Sequence, residues 1–540
     1  MQAMTVLMNM KMKGLKEMTC MKFLPYLLVT AILFLSIYSA ADTHPSGISS
    51  QWSREKTHAW YAKQPWLCGF NYIPANAISY TEMWMDYSFD PKRIDTELKI
   101  AEEVGFNCCR VVFSYVVWEH DPEGFHARFE RFLSICHKRG LKVIPIFFDD
   151  CVFGPITDPV YGRQPEIVEG WYANGWTPSP GHSMVRNPAS WNQLEKYVTD
   201  IMNRHKNDLR ILCWDLYNEP TNAGLGDASI PLLEKVFEWA RRVNPVQPLT
   251  TGWWNNNPKL NKVIFENSDI ITFHNYLSAD RLYKQIRELQ MLGRPVICTE
   301  WLNRGLQSVV ITCLPIFYHT NAGCMHWGLV NGRTQTDLNW GHRPGDPEPA
   351  LWQHDIYRPD YKPYSSEEID IFKFYLRTAK SLKRSRLLWA DPVLPTSELL
   401  AQRWKYTFQD PGEKWADPDY NDSQWKTGEG GFGTAGTAGL AVGSIWQTGQ
   451  IWLRKEFQLE DASVSDLCFR IFHDEDIWIY VNGEPVIYRA GWTTDYIVVP
   501  VPADKLRLFK TGRNIIAVTC KQTSGGQGVD VGIMNIKKNR

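Results

Sequence analysis

The sequence predicts an α/β fold, a (β/α)8 TIM barrel followed by a C-terminal all-β sandwich, and three observations carry that prediction. Eight short apolar or β-branched runs, most of them followed by a polar loop and an amphipathic helical stretch, recur between Trp66 and about Lys383. Eight is the number of such units that closes a barrel. Beyond Ala390 the long helical patterns stop, and short strands alternate with Gly, Asp and Asn turns, the texture of a sandwich. A chain of 540 residues has room for one large and one smaller domain of these kinds, since barrels run to about 250 residues.

Taken in order, the chain begins with a targeting segment. Lys22 precedes an apolar run from Phe23 to Ile37, and Ser39-Ala40-Ala41 supplies the small residues a signal peptidase inspects. Residues 1–41 therefore read as a secretory signal peptide, with residues 1–20 an upstream extension of a chain that starts near Met21. The run is short and Pro-interrupted for a membrane span of about 20 residues, so no stable span is expected after cleavage; an uncleaved anchor is the alternative. The expected location is secreted or periplasmic.

The barrel is expected over residues 60–390, with strand-like runs at 66–72, 107–114, 141–148, 211–217, 248–253, 269–275, 294–300 and 323–330. Asp90-Pro91 opens a helix with Ile94, Leu98 and Ala101 on one face, and Trp191 to His205 has the spacing of another. Asp391-Pro392 and Leu394-Pro395 mark a linker. The sandwich follows over 395–540, with runs such as Ile451 to Phe457, Leu467 to Phe472, Ile477 to Val481 and Asn514 to Thr519. Asn482-Gly483 inside it is a two-residue hairpin turn.

Composition narrows the function. With 58 Lys plus Arg against 59 Asp plus Glu, the chain lacks the clustered basic excess that phosphate neutralisation demands, so no nucleic-acid partner is expected. Cleavage after Ala41 leaves 11 of the 12 Cys, an odd number. Most sit in apolar runs, where Cys behaves as a small hydrophobe. There is no CxxC pair, HExxH or Cys/His cluster with zinc spacing, so neither a metal nor another cofactor is expected. The 24 Trp and 23 Tyr supply flat amphipathic rings suited to sugar faces, although core filling accounts for most of them.

Functional residues of such barrels lie at the C-terminal strand ends. Two of those ends carry Glu: Trp214-Asp215-Leu216-Tyr217-Asn218-Glu219-Pro220 on the fourth strand and Pro295-Val296-Ile297-Cys298-Thr299-Glu300-Trp301 on the seventh. A lone carboxylate at the end of an apolar run is costly to bury without a partner or a role. Two carboxylates converging from different strands are what glycosidic cleavage requires, one to protonate the leaving oxygen and one to attack the anomeric carbon or activate water.

On these residues the sequence resembles clan A glycoside hydrolases, particularly family 5 and the catalytic domains of family 2. Asn218-Glu219-Pro220 and Glu300 resemble their paired catalytic carboxylates, and Arg110 resembles the arginine aimed at the nucleophile. His274 and Tyr276 resemble their His-x-Tyr, and Trp327 the aromatic floor under the reacting sugar. The resemblance implies a retaining β-glycosidase acting on a poly- or oligosaccharide, with Glu300 as nucleophile and Glu219 as acid/base. It further implies that Arg110 and Tyr276 hold Glu300 ionised and that Asn218 contacts the sugar 2-hydroxyl. Asp215 lies four residues before Glu219 and reads as an internal hydrogen-bonding residue, with Arg110 as an alternative partner for it. The loops after the first, third and eighth strands match no polysaccharidase pattern and leave the glycan unassigned.

Weaker candidates lie in the loops. The stretch from Asp149 to Asn187 is far longer than the usual βα loop of about 2–6 residues and carries Trp171, Tyr172 and Trp176. Trp84 and Trp118 are further stacking candidates, and core packing is an equal alternative for each. Asp149-Asp150 read either as hydroxyl-binding carboxylates or as a solvated pair. In the C-terminal segment, Trp415 to Trp425, His473-Asp474-Glu475-Asp476 and Tyr480-Val481-Asn482-Gly483 resemble a galactose-binding-like domain, which implies either sugar binding or a structural buttress. Two other functions stay open: a catalytically inactive carbohydrate-binding protein on the same barrel, and a transglycosylase.

Overall fold

The computed structural model describes residues 50–381, 388–462, 464 and 466–538. The signal segment expected over residues 1–41 lies outside the described residues. No helix among the described residues is long and apolar enough to cross a membrane.

Nine parallel strand segments build the first part: β1 (Cys68–Asn71), β2 (Cys108–Val112), β3 (Lys142–Asp149), β4 (Trp214–Asn218), β5 (Leu249–Thr250), β6 (Gly252–Trp253), β7 (Ile271–His274), β8 (Val296–Trp301) and β9 (Gly323–His326). Their order in the sheet is β5-β4-β3-β2-β1-β9-β8-β7-β6. The single run expected at 248–253 therefore supplies both ends of the sheet. Leu249 and Thr250 pair with β4, and Gly252 and Trp253 pair with β7, on either side of Thr251. With helices between the strands this is a nearly closed (β/α)8 barrel.

The local signals account for its parts. In the helix Pro91–Val104 the Asp90 carboxylate accepts from the Lys92 and Arg93 N–H groups, and Pro91 occupies a first-turn position whose N–H would lack a helical partner. The helix ends at Gly105, whose φ of 100° is a left-handed conformation that glycine adopts freely. Its buried face carries Ile94, Leu98 and Ala101. At the start of the strands Leu67, Cys108, Ile144, Cys213, Ile297 and Met325 form one buried cluster inside the sheet. The 11 cysteines from Cys68 to Cys520 are buried free thiols rather than a disulfide framework.

The C-terminal part is two mainly antiparallel six-stranded sheets. Ile451, Leu453, Ile477, Ile479, Ile516 and Val518 of one sheet share a core with Phe469, Ile471, Val531 and Ile533 of the other. Asn482 (φ 51°) and Gly483 (φ 91°) form the hairpin turn between the strands Asp476–Val481 and Glu484–Arg489. The expected linker requires correction: Leu388–Leu394 is a strand, paired with Gly528–Lys538, and its register shifts between Pro392 and Leu394. Proline lacks an N–H for the ladder but fits an edge or an irregular register, so Pro392 does not prevent pairing, and Pro395 lies just beyond the strand. Trp415 stacks on Trp425 and packs with Trp452, Tyr480 and Ala517 of its own sheet, so these aromatics fill a local core rather than the barrel contact. The barrel contact combines apolar packing of Met291 on Ala390, Cys468 and Met534 with ion pairs such as Lys284 with Asp495 at 2.7 Å and Arg54 with Asp391 at 2.9 Å.

Candidate active site

The strand ends converge on one buried cation. Arg110, on β2, has a fully buried side chain. Its Nε and Nη2 donate to Asp215 Oδ2 at 2.9 and 2.8 Å, and Nη2 also donates to Asn218 Oδ1 at 2.7 Å. Its Nη1 donates to Glu300 Oε1 at 2.7 Å and to Asn71 Oδ1 at 3.0 Å. Both partners weighed for Arg110 in the sequence are therefore real, and one guanidinium joins them. The fork geometry of arginine permits this division of donors, which a lysine point charge would not reproduce.

Glu300 reaches that position through an irregularity in β8. Ile297 faces the barrel interior, and strict alternation would turn Glu300 the other way. The pairing of β7 with β8 shifts register between Phe273 and His274, so that Cys298 faces Phe273 and Glu300 faces His274. A bulge of this kind re-aims a side chain, and here it directs the carboxylate to Arg110. Tyr276 OH donates to its Oε2 at 2.8 Å.

Glu219 sits at the end of β4 with φ of 42°, a left-handed conformation that costs a non-glycine residue on the order of 1 kcal/mol or more and persists only where surroundings hold it. The holders are identifiable. His274 Nδ1 lies 2.7 Å from Glu219 Oε1 and 3.4 Å from Glu300 Oε2, between the two carboxylates. Asn222 Nδ2 donates to Glu219 Oε2 at 2.5 Å. Gly252 faces His274 from β6: a Cβ there would stand 2.8 Å from Nε2, so the imidazole keeps its place only against glycine. One oxygen of Glu219, one of Glu300 and a nitrogen of His274 all lie within 4.8 Å of one another.

Burial dominates the electrostatics. It raises the pKa of both Glu219 and Glu300 above the usual carboxylate range; Arg110, and His274 when protonated, oppose this at Glu300. Burial pushes His274 down to about 4, so its imidazole is neutral at neutral pH. Two groups among the described residues have ligand spacing for a metal: Glu219, His274 and Glu300, and Glu130, His205 and Asp208. Each already holds a guanidinium, Arg110 on Glu300 and Arg210 on Glu130 and Asp208, so a cation there would meet a resident positive charge.

Arg110→Ala is expected to leave Asp215 and Glu300 buried without their counter-charge, destabilising the fold by about 3–5 kcal/mol in urea unfolding. The sign for activity follows from the same contact. Arg110 pulls the Glu300 pKa down against burial, so its loss raises that pKa further and moves the acidic limb of kcat/KM to higher pH. A profile recorded below the melting range, with an acidic limb that stays in place, would separate Arg110 from Glu300 functionally.

A cleft of about 530 Å3 opens over these groups. Asn218, Glu219, His274, Tyr276, Glu300, Trp327 and Trp176 all line it, as does Tyr172. Trp171 is not among the lining residues; its indole donates to Phe153 O and its ring faces Arg343. Trp84 is core: fully buried, it donates to Val112 O and packs on Phe113 and Phe125. Trp118 packs on Tyr197 and donates to Asp200. Neither reading of Asp149-Asp150 holds, because both are fully buried. Asp149 accepts from Asn218, Trp176 and the Cys151 N–H, and Asp150 from Tyr217, Thr221 and Ser229. They are braces for the cleft wall, and burial pushes Asp150 up to about 7.

Sequence reasoning missed Trp253, Trp254, Trp340, Cys151, Asn222 and Gln285, which also line the cleft. Trp253-Trp254-Asn255-Asn256 ends the fifth strand run, so the strand-end rule already pointed there. Trp340 carries no such signal. It lies on the long segment after β9, 42% exposed, edge-on to Tyr276 with ring centroids 5.0 Å apart.

Residues 69–313 match the family model Cellulase (glycosyl hydrolase family 5). No curated protein matches the chain. Similar solved structures include GH5_18 from Streptomyces cattleya in complex with GlcNAc, at TM-score 0.43 and 12% identity over 59% of this chain and 81% of that one. The exo-β-1,4-mannosidase Op5Man5 from Opitutaceae bacterium strain TAV5 aligns at TM-score 0.42 and 16% identity, over 58% of this chain and 59% of that one. The hyperthermostable endo-1,4-β-D-mannanase from Thermotoga petrophila RKU-1 aligns at TM-score 0.40 and 16% identity, over 58% of this chain and 99% of that one.

Proposed function

We propose that this glycoside hydrolase, which carries a family 5 domain over residues 69–313, cleaves β-glycosidic bonds of a poly- or oligosaccharide with net retention of configuration. The observation that carries the reading is the approach of Glu219 and Glu300 oxygens to within 4.8 Å. Retaining enzymes hold their carboxyls about 5–5.5 Å apart, whereas inverting enzymes need about 6.5–9.5 Å to admit water between carboxylate and sugar.

Roles follow from the environments. Glu300 has a cation and a tyrosine hydroxyl on its oxygens, both of which favour the anion, and is the nucleophile. Glu219 has no direct cation contact, and burial favours its protonated form, as the acid of the first step requires. After the glycosyl-enzyme forms, Glu219 is the base for the attacking water. Asn218 lies beside both and supplies a sugar contact, while Trp327 and Trp176, with rings 5.5 Å apart, provide the apolar floor. Export through the segment ending at Ala41 belongs to the same proposal.

The test is a panel of aryl β-glycosides and polysaccharides, followed by proton NMR of the first-formed anomer. The β anomer appearing before mutarotation supports double displacement. An α product overturns retention, and the absence of release from every member favours the carbohydrate-binding alternative.

A further inference from the structure

Among the neighbours of Glu219 that the two-carboxylate mechanism does not use is a thiol. Cys151 follows β3 by two residues, is 5% exposed and forms part of the cleft wall. Its Sγ lies 3.3 Å from Glu219 Oε2, within reach of an S–H···O hydrogen bond. The same sulfur accepts N–H groups from Asn222 at 3.4 Å and Asn218 at 3.7 Å. With its lone pairs so occupied, the thiol offers its single proton to a carboxylate, and Glu219 Oε2 and Asp149 are the acceptors beside it. The backbone cannot drift away either, because the Cys151 N–H donates to Asp149 Oδ1, which also accepts from Asn218.

We propose that Cys151 is a positioning residue for Glu219: its thiol and the Asn222 amide together grip Oε2 and hold the carboxyl at a fixed orientation toward Glu300 across the cleft. The inference rests on the reading of Glu219 as acid/base. The grip answers a local need, since the left-handed backbone of Glu219 leaves its side chain to be held by contacts rather than by strand geometry. The thiol itself keeps its proton, because burial and the nearby carboxylates hold its pKa far above the ordinary value; it acts as a donor and not as a nucleophile. Chains of polarised hydrogen bonds such as Asn222 to thiol to carboxyl strengthen one another in a buried site.

The consequence is visible in pH dependence. A donor on Oε2 favours the carboxylate and so offsets part of the burial effect at Glu219. Removing it raises the Glu219 pKa further, and the basic limb, where the acid loses its proton, moves up. The other ionisable groups facing Glu219 are His274 and Tyr276 at the end of β7, Glu300 on β8, Arg110 on β2 and Asp149 on β3; each stays in place in the variants below.

Cys151→Ala and Cys151→Ser are compared with the unmodified enzyme on aryl β-glycosides of graded leaving-group ability, with kcat/KM recorded against pH. For Cys151→Ala the basic limb is expected to rise by roughly half a unit, and kcat to fall several-fold on poor leaving groups with KM little changed. Cys151→Ser, whose hydroxyl donates to the same oxygen, is expected to keep both near the unmodified values and so excludes simple misfolding. An unmoved basic limb in Cys151→Ala, or the same loss on every leaving group, overturns the proposal. Glu219→Ala run alongside distinguishes the two levels. If it shows no leaving-group dependence, the acid/base reading falls and the positioning role with it; if it does and Cys151→Ala does not, only the positioning role falls.

Discussion

Glu300→Gln is expected to lower kcat by on the order of 10^4-fold or more, the scale on which enzymes lose activity when a covalent nucleophile is removed. The amide has nearly the volume of the carboxyl, so the bulged end of β8 keeps its shape. What changes is chemical: an amide oxygen is a poor nucleophile toward the anomeric carbon, and no glycosyl-enzyme forms. Arg110 retains a hydrogen-bond acceptor on Nη1 but loses one of its two anionic partners, while Asp215 remains at 2.8 Å. The melting temperature is therefore expected to move much less than the activity. Steady-state rates on an activated aryl β-glycoside, with thermal unfolding of the same preparation, check both halves. Residual turnover above about 1% without an added nucleophile would falsify the assignment, since such a remainder is far above that of a missing nucleophile.

Glu219→Ala is the second large effect, and its signature is selectivity rather than silence. General acid catalysis contributes about 10²–10⁴-fold, and that whole factor should disappear for substrates whose leaving group needs a proton. Aryl glycosides with acidic phenols depart unaided, so their first step should survive and the glycosyl-enzyme should accumulate. Azide requires no base and is expected to restore turnover of these activated substrates, giving a glycosyl azide of retained configuration. The prediction has a structural premise: Glu219 leaves behind His274 Nδ1 and the Asn222 amide, which contact its two oxygens, so the vacated volume is polar and opens to the cleft. Equal losses on both substrate classes, with no azide product, would remove Glu219 from the acid/base role.

The pH consequences join the two residues. Burial raises both carboxyl pKa values, and the Arg110 guanidinium opposes it more strongly at Glu300, which it contacts directly, than at Glu219. On the proposed mechanism this difference in contacts is expected to leave a pH window in which Glu300 is ionised and Glu219 protonated, the condition for double displacement. Arg110→Ala is expected to narrow that window from the acidic side, and Cys151→Ala to shift its basic edge upward.

Much of this architecture was legible in the amino-acid sequence because it depends on local properties. Apolar runs of strand length separated by helical periods announce a parallel barrel, and the rule that strand ends carry chemistry reduces 540 residues to a few positions, among them Asn218, Glu219 and Glu300. Asp90-Pro91, like Asn482-Gly483, specifies a cap or a turn through its own backbone preferences. Non-local contacts decided the rest. Periodicity identifies a run as apolar but does not set its register, so it could not show that β8 bulges and turns Glu300 inward, that Thr251 divides one run between two neighbours, or that Leu388–Leu394 pairs with a strand more than a hundred residues away. Trp84 and Trp340 are the same residue type on loops of similar sequence texture, yet one fills the core and the other borders the cleft, because the path of a loop over the barrel follows from what it packs against. For the same reason Asp149 and Asp150, Cys151 and Asn222 take their roles only when β3 and β4 lie side by side and bring their ends together around Glu219.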